Sequence, residues 1–219
     1  MKHTFLLLVF FGLINACQSI EILQKHLTFD ETRKNLTLQY LANEYGLEQQ
    51  EPLIDPQMIV IHWTSLGDLE SAFKVFQNPI KPRFRNDDPH LPDELNVSAH
   101  YLVDQDGTIY QLMPDSIMAL HVTGLNYCAI GIKNVGNNQH KPLTEAQVEA
   151  NAFLVETLHQ KYPIKYLIAN SEYPLFQDHP LWKNFTDQPV EQRDDPGAGF
   201  MIRLRQSVEK LELAGPPKH

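Results

Sequence analysis

Four groups of chemically capable residues lie far apart in this 219-residue chain. An apolar run ends in Ile59-Val60-Ile61-His62-Trp63-Thr64, and Ser98-Ala99-His100-Tyr101 opens a second. A third reads Ala129-Ile130-Gly131-Ile132-Lys133-Asn134, and a late loop ends in Arg193-Asp194-Asp195-Pro196-Gly197. Imidazole nitrogen and carboxylate oxygen are metal donors, and a hydrolytic zinc needs three protein ligands with a further position open to water. Lysine and arginine offer cations to a developing oxyanion. Each residue also has a plainer reading: a lone His is usually a hydrogen-bonded structural group, Asp-Pro-Gly is a common turn, and Arg193 beside Asp194 is an ordinary surface pair. Only their joint occurrence points to a site.

Segments this distant meet only if a packed sheet brings strand ends together. The run 58–63 is apolar on both faces, as in the middle of a covered sheet. Residues 97–103 and 108–112 read as a hairpin about Asp104-Gln105-Asp106-Gly107, with 127–133 and 166–169 as further strands. Helices are expected over 29–45, capped by Asp30 and stopped by Gly46, and over 68–76. Another starts at the capping box Thr144-Glu145-Ala146-Gln147 and runs to 162, and the last covers 200–211. Residues 78–92 form a Pro-rich, charged surface loop. The expected fold class is α/β, a mixed central β-sheet flanked by helices in one domain over 28–211, with a tether at 17–27 and a frayed tail at 212–219.

In this order and at these separations the pieces resemble the zinc-dependent N-acetylmuramoyl-L-alanine amidase family, which cuts peptide stems from peptidoglycan sugars. The resemblance implies metal-ligand positions at His62 and Asp195, and at Asn170, in Ile168-Ala169-Asn170-Ser171-Glu172-Tyr173, where the family has a second His. It places Lys133 where the family has a catalytic Glu, and Arg193 where a family Lys steadies the oxyanion. It places His121, in Ala119-Leu120-His121-Val122-Thr123-Gly124, beside the substrate cleft. Trp63, Tyr101 and Asn134 are the remaining expected ligand contacts. Strand alternation sends one of His100 and Tyr101 toward the cleft and the other into the core.

Zinc is the cofactor the resemblance implies, but a carboxamide is a poor substitute for imidazole at zinc. Glu172 and His179 are candidate replacements. At position 133 an ammonium reverses the local charge and lacks the carboxylate that would cycle a proton. The expectation is therefore a protein that binds peptidoglycan or muropeptides with impaired or lost amide hydrolysis. The alternatives are an active zinc amidase with a substitute ligand and a structural lipoprotein with a relic cleft.

The chain opens with Lys2, an apolar stretch 5–14 and Leu13-Ile14-Asn15-Ala16-Cys17, which resembles a lipoprotein signal peptide (1–16) with lipidation at Cys17. This implies a bacterial envelope protein, attached to the outer membrane through its lipid and facing the periplasm. Only Cys128 would then remain, a small buried core residue, so no disulfide scaffold exists. A net charge of −9 excludes a nucleic-acid partner and offers nothing to anionic headgroups. The sequons at Asn35, Asn96 and Asn184 read as chance matches.

Overall fold

The computed structural model describes residues 20–83, 94–137, 139–186 and 190–218. Its strands are β1 (Ile22–Gln24), β2 (Met58–Trp63), β3 (Tyr101–Val103), β4 (Ile109–Gln111), β5 (Ala129–Asn134) and β6 (Tyr166–Ala169). They form one sheet in the order β1-β4-β3-β5-β2-β6. Only β3 and β4 pair antiparallel; every other neighbouring pair is parallel. β2 and β5 are interior strands, paired on both edges and covered on both faces, which explains their nearly continuous apolar sequence.

Four helices cover the sheet: α1 (Glu31–Tyr45), α2 (Leu69–Gln77), α3 (Glu145–Lys161) and α4 (Ala198–Ser207). One face packs Ile59, Ile61, Ile130 and Ile132 against Leu154 and Val155 of α3 and Phe200 and Leu204 of α4. On the other face Leu102 meets Ala72 and Phe76 of α2, while Met58 and Val60 meet Tyr173 and Phe176. Asp30 and Asp68 cap α1 and α2 by accepting from Arg33 N and Ser71 N, and Thr144 with Gln147 closes the capping box of α3. Gly46 takes φ 64°, the left-handed conformation that ends α1. The buried Arg33 donates from Nε to Thr28 O and from Nη2 to Phe76 O, tying α1 to the end of α2.

The structure redraws four expected boundaries. The 17–27 tether contributes strand β1, and Leu27 is buried with its N–H on Leu112 O. In the 212–219 tail, Ala214 lies along β6, its N–H on Lys165 O and its carbonyl accepting from Leu167 N. The hairpin strands are shorter, and the segment before β3 adds side-chain bonds to its backbone ones. Ser98 Oγ accepts from Leu120 N, and His100 donates from Nε2 to Ile117 O while its Nδ1 accepts from Gly131 N. The last helix ends at Ser207, and Glu209–Leu211 is a separate 3₁₀ turn. Asn96 is buried and donates to Val75 O and Asn78 O, so its sequon is a structural asparagine. The leader 1–16, Cys17 and most of the 78–92 loop lie outside the described residues. No helix among the described residues is long and apolar enough to cross a membrane.

His100 sets a pH limit on this fold. Burial pushes its pKa down to about 4, from an ordinary value near 6.5. The unfolded chain therefore takes up the proton first as the pH falls. The stabilisation is complete above about 6.5, declines toward pH 4 and is gone below it. The unfolding free energy from urea titrations is expected to fall by at least roughly 2 kcal/mol between pH 7.5 and 4.5, with His62 and His121 acting in the same direction as His100, and a flat profile between pH 6.5 and 5 would contradict the buried neutral imidazoles.

Candidate ligand cleft at the strand ends

Two parallel strands in register deliver the central side chains. His62 lies opposite Lys133, and alternation sends both to the sheet face away from α3 and α4. Asn170 follows the last residue of β6 and opens the 3₁₀ segment Asn170–Phe176. Asp195 arrives from the loop before α4, with its backbone carbonyl accepting from Ser171 N. Lys133 and Asn170 line a cleft of about 490 Å³ whose walls include Phe76, His121, Tyr173 and Arg193, while His62 and Asp195 are buried behind it. The C-terminal ends of parallel strands are where open α/β sheets bind ligands.

A hydrogen-bonded chain fixes the histidine tautomers. His121 Nε2 lies 3.3 Å from Ala129 O, and a carbonyl can only accept, so this nitrogen carries the proton. In the neutral ring Nδ1 is then an acceptor, and His62 Nε2, 3.1 Å away, must donate to it. His62 Nδ1 is left with a lone pair. It is buried with no hydrogen-bond partner among the described residues, 3.7 Å from Asp195 Oδ2. Both rings are held neutral. Burial, then the Lys133 charge, pushes His62 down to about 4, while burial and the neighbouring imidazoles put His121 well below its ordinary value.

Asp195 is compensated from the other side. Asn170 Nδ2 donates to both of its carboxylate oxygens, at 2.9 and 3.1 Å. Burial would raise this carboxyl, but the Asn170 amide and the Lys133 charge act against it, and it is held below the ordinary range. Burial lowers Lys133 to about 8, against the pull of Asp195. At neutral pH the site thus combines neutral imidazoles, one carboxylate and one ammonium.

These residues do not fit a catalytic zinc. The His62 lone pair and the Asp195 carboxylate are donors of the right type, yet the third position presents a carboxamide whose NH₂ is turned onto that carboxylate. Neither candidate replacement is available. Glu172 sits on the 3₁₀ segment rather than on a strand, and its carboxylate binds Arg205 and Ala169 N. His179 Nε2 pairs with Tyr166 OH, while its Nδ1 accepts from Leu181 N. No cluster of three His, Cys, Asp or Glu suited to a metal occurs among the described residues.

Of the expected ligand contacts, His121 lines the cleft and three others do not. Trp63 and Asn134 are one residue past His62 and Lys133, so alternation turns them to the α3/α4 side. Trp63 lies near Pro196 and Phe200, and Asn134 is buried, donating to His62 O and accepting from Asn151 Nδ2. Tyr101 is buried with its hydroxyl on Asp115 Oδ1 at 2.5 Å, so His100 takes the cleft-side face, beneath His121. Arg193 borders the cleft but pairs with Glu191. Cys128 is buried as expected, and burial raises its thiol to about 12.

One positioning residue escaped the sequence reading. A Cβ on Gly131 would stand 2.6 Å from His121 Cγ, so only glycine lets that imidazole lie across β5. A glycine inside a strand is the signal for such a close approach.

With this geometry in place, comparison with known proteins gives a consistent result. Residues 49–198 match the family model described as N-acetylmuramoyl-L-alanine amidase. Peptidoglycan recognition protein 3 of Mus musculus is 31% identical over 99 residues, 45% of this chain and 28% of that protein. The chain thus spans little more than a quarter of that relative's length. The fold is similar to that of the N-acetylmuramoyl-L-alanine amidase LysC from Clostridium intestinale, with TM-score 0.55 and 19% identity over 90% of this chain and 100% of that one. A selenomethionine derivative of AmpD gives TM-score 0.54 and 22% identity over 86% and 94%. The chain belongs to the N-acetylmuramoyl-L-alanine amidase family.

Asn170→Ala removes both donors to a carboxylate that is 5% exposed. The expected loss is about 2 to 3 kcal/mol in urea unfolding at pH 7, and an unchanged midpoint would show that Asp195 finds its compensation elsewhere.

Proposed function

We propose that this member of the amidase family binds peptidoglycan or muropeptides in the strand-end cleft, with zinc-dependent amide hydrolysis impaired or lost. The observation that carries this reading is the substituted centre: the Asn170 amide engages Asp195, and Lys133 stands where the family has a carboxylate. Zinc hydrolysis requires three donors and a base able to hold and release a proton, and two independent substitutions remove one of each. The cleft itself persists, with imidazole, hydroxyl and aromatic groups on its walls, which favours ligand binding over a relic.

The chain's own residues can orient a ligand rather than cut it. His121 is held in one tautomer by Ala129 O, so the face it turns to the cleft is fixed. Phe76 and Tyr173 supply apolar walls for a sugar ring or an alanyl methyl group. With lipid on Cys17, the protein would act at the periplasmic face of the outer membrane.

Three measurements on protein lacking residues 1–17 test this reading: zinc titration by calorimetry, retention on purified sacculi, and release of stem peptides. Sacculus retention without stoichiometric zinc binding at micromolar metal, and without peptide release, is expected. Tight zinc binding abolished by His62→Ala, with peptide release, would put an active amidase in its place. Absence of both retention and release would favour the structural lipoprotein. Asn170→His with Lys133→Glu is expected to create zinc binding and raise hydrolysis from that background; no gain would mean that the cleft has diverged beyond these two positions.

A further inference from the structure

The cations bordering the cleft are not equivalent. Lys81 pairs with Glu94 at 2.6 Å, and Arg193 pairs with Glu191. The Lys133 ammonium makes neither a hydrogen bond nor an ion pair among the described residues, and it lies over the Phe76 ring, 5.7 Å from the ring centre. Asp195 supplies an electrostatic attraction, but its oxygens are taken by Asn170. A half-buried ammonium without a carboxylate is costly to maintain, and apolar residues of similar length are always available at such a position. A ligand that brought the missing anion would find the cation already desolvated, in a cleft of about 490 Å³ that accommodates a sugar ring.

We infer that Lys133 is an anchor for a carboxylate of the bound ligand, placed where relatives act on a neutral amide. This rests on the muropeptide reading above and assigns that site its ligand class, an acid in place of an amide. Lys133 is level with His62 across the parallel pair and lines the cleft, so the anchored group sits within it. Two carboxylates have the required chemistry. One is the lactyl carboxylate of a muramic acid whose stem peptide has been removed, since hydrolysis of that amide leaves an acid on the sugar and an amine on the peptide. The other belongs to the stem peptide.

Calorimetry of the purified protein with three probes separates them: N-acetylmuramic acid, its methyl ester, and N-acetylmuramoyl-L-alanyl-D-isoglutamine, whose lactyl carboxyl is tied up as an amide. A preference for the free acid over the ester of about tenfold or more, lost in Lys133→Met and kept in Lys133→Arg, supports the sugar carboxylate. A comparable loss in Lys133→Met confined to the dipeptide probe supports the stem carboxylate. Equal affinities of wild type and Lys133→Met for every probe, with sacculus retention intact, overturn the anchor while leaving the peptidoglycan reading standing. Loss of sacculus retention by the wild type itself would overturn the reading on which the anchor rests. Circular dichroism of Lys133→Met and Lys133→Arg confirms that both variants are folded before their affinities are compared.

Discussion

A buried carboxylate must be compensated, and the way Asp195 is compensated organises the rest of this site. In a zinc enzyme the metal would do it. Here the Asn170 amide takes both oxygens, and the Lys133 charge acts from the neighbouring strand. Opposite them, the tautomer chain from Ala129 O through His121 leaves His62 with a lone pair aimed at the same carboxylate. His62 and Asp195 therefore offer donor atoms on one side, while the other side is filled by groups that repel or exclude a cation. The two groups act on the same carboxylate: an amide without the ammonium would leave Asp195 less well balanced.

The scaffold makes this exchange possible without disturbing the core. His62 and Lys133 stand near the ends of strands whose earlier residues are already packed on both faces, so changes at the ends do not propagate into the apolar layers. Structural histidine is kept apart from site histidine by one strand: His100 is consumed by Ile117 O and Gly131 N and supports His121 from below.

Much of the fold was legible because local signals agreed with tertiary need. Asp30, Gly46 and Thr144 with Gln147 mark helix ends through capping chemistry that does not depend on distant partners. β1 was hidden because its three residues owe their conformation to pairing with β4, a contact of high sequence separation. In the site, His62, Lys133, Asn170 and Asp195 were found as types, but not their bonding. The errors at Trp63 and Asn134 were avoidable: each follows a cleft residue by one position, and strict alternation alone excludes it from the same face. Nothing local, by contrast, reveals that Glu172 is claimed by Arg205, because Arg205 arrives from a helix more than thirty residues on.

The direction of β1 bears on how the whole molecule would stand at a surface. β1 is parallel to β4, β4 opposes β3, and β3 runs with β5 and β2. Following the register across the sheet sets Ile22 level with Ile109, Val103, Asn134 and Trp63, so the chain enters the domain at the same sheet end as the cleft. Two residues separate Ile20 from Cys17, a reach of only about 10 Å even fully extended. A lipid there would hold the mouth of the cleft toward the bilayer, so that it meets cell-wall material close to the membrane and not strands deeper in the wall.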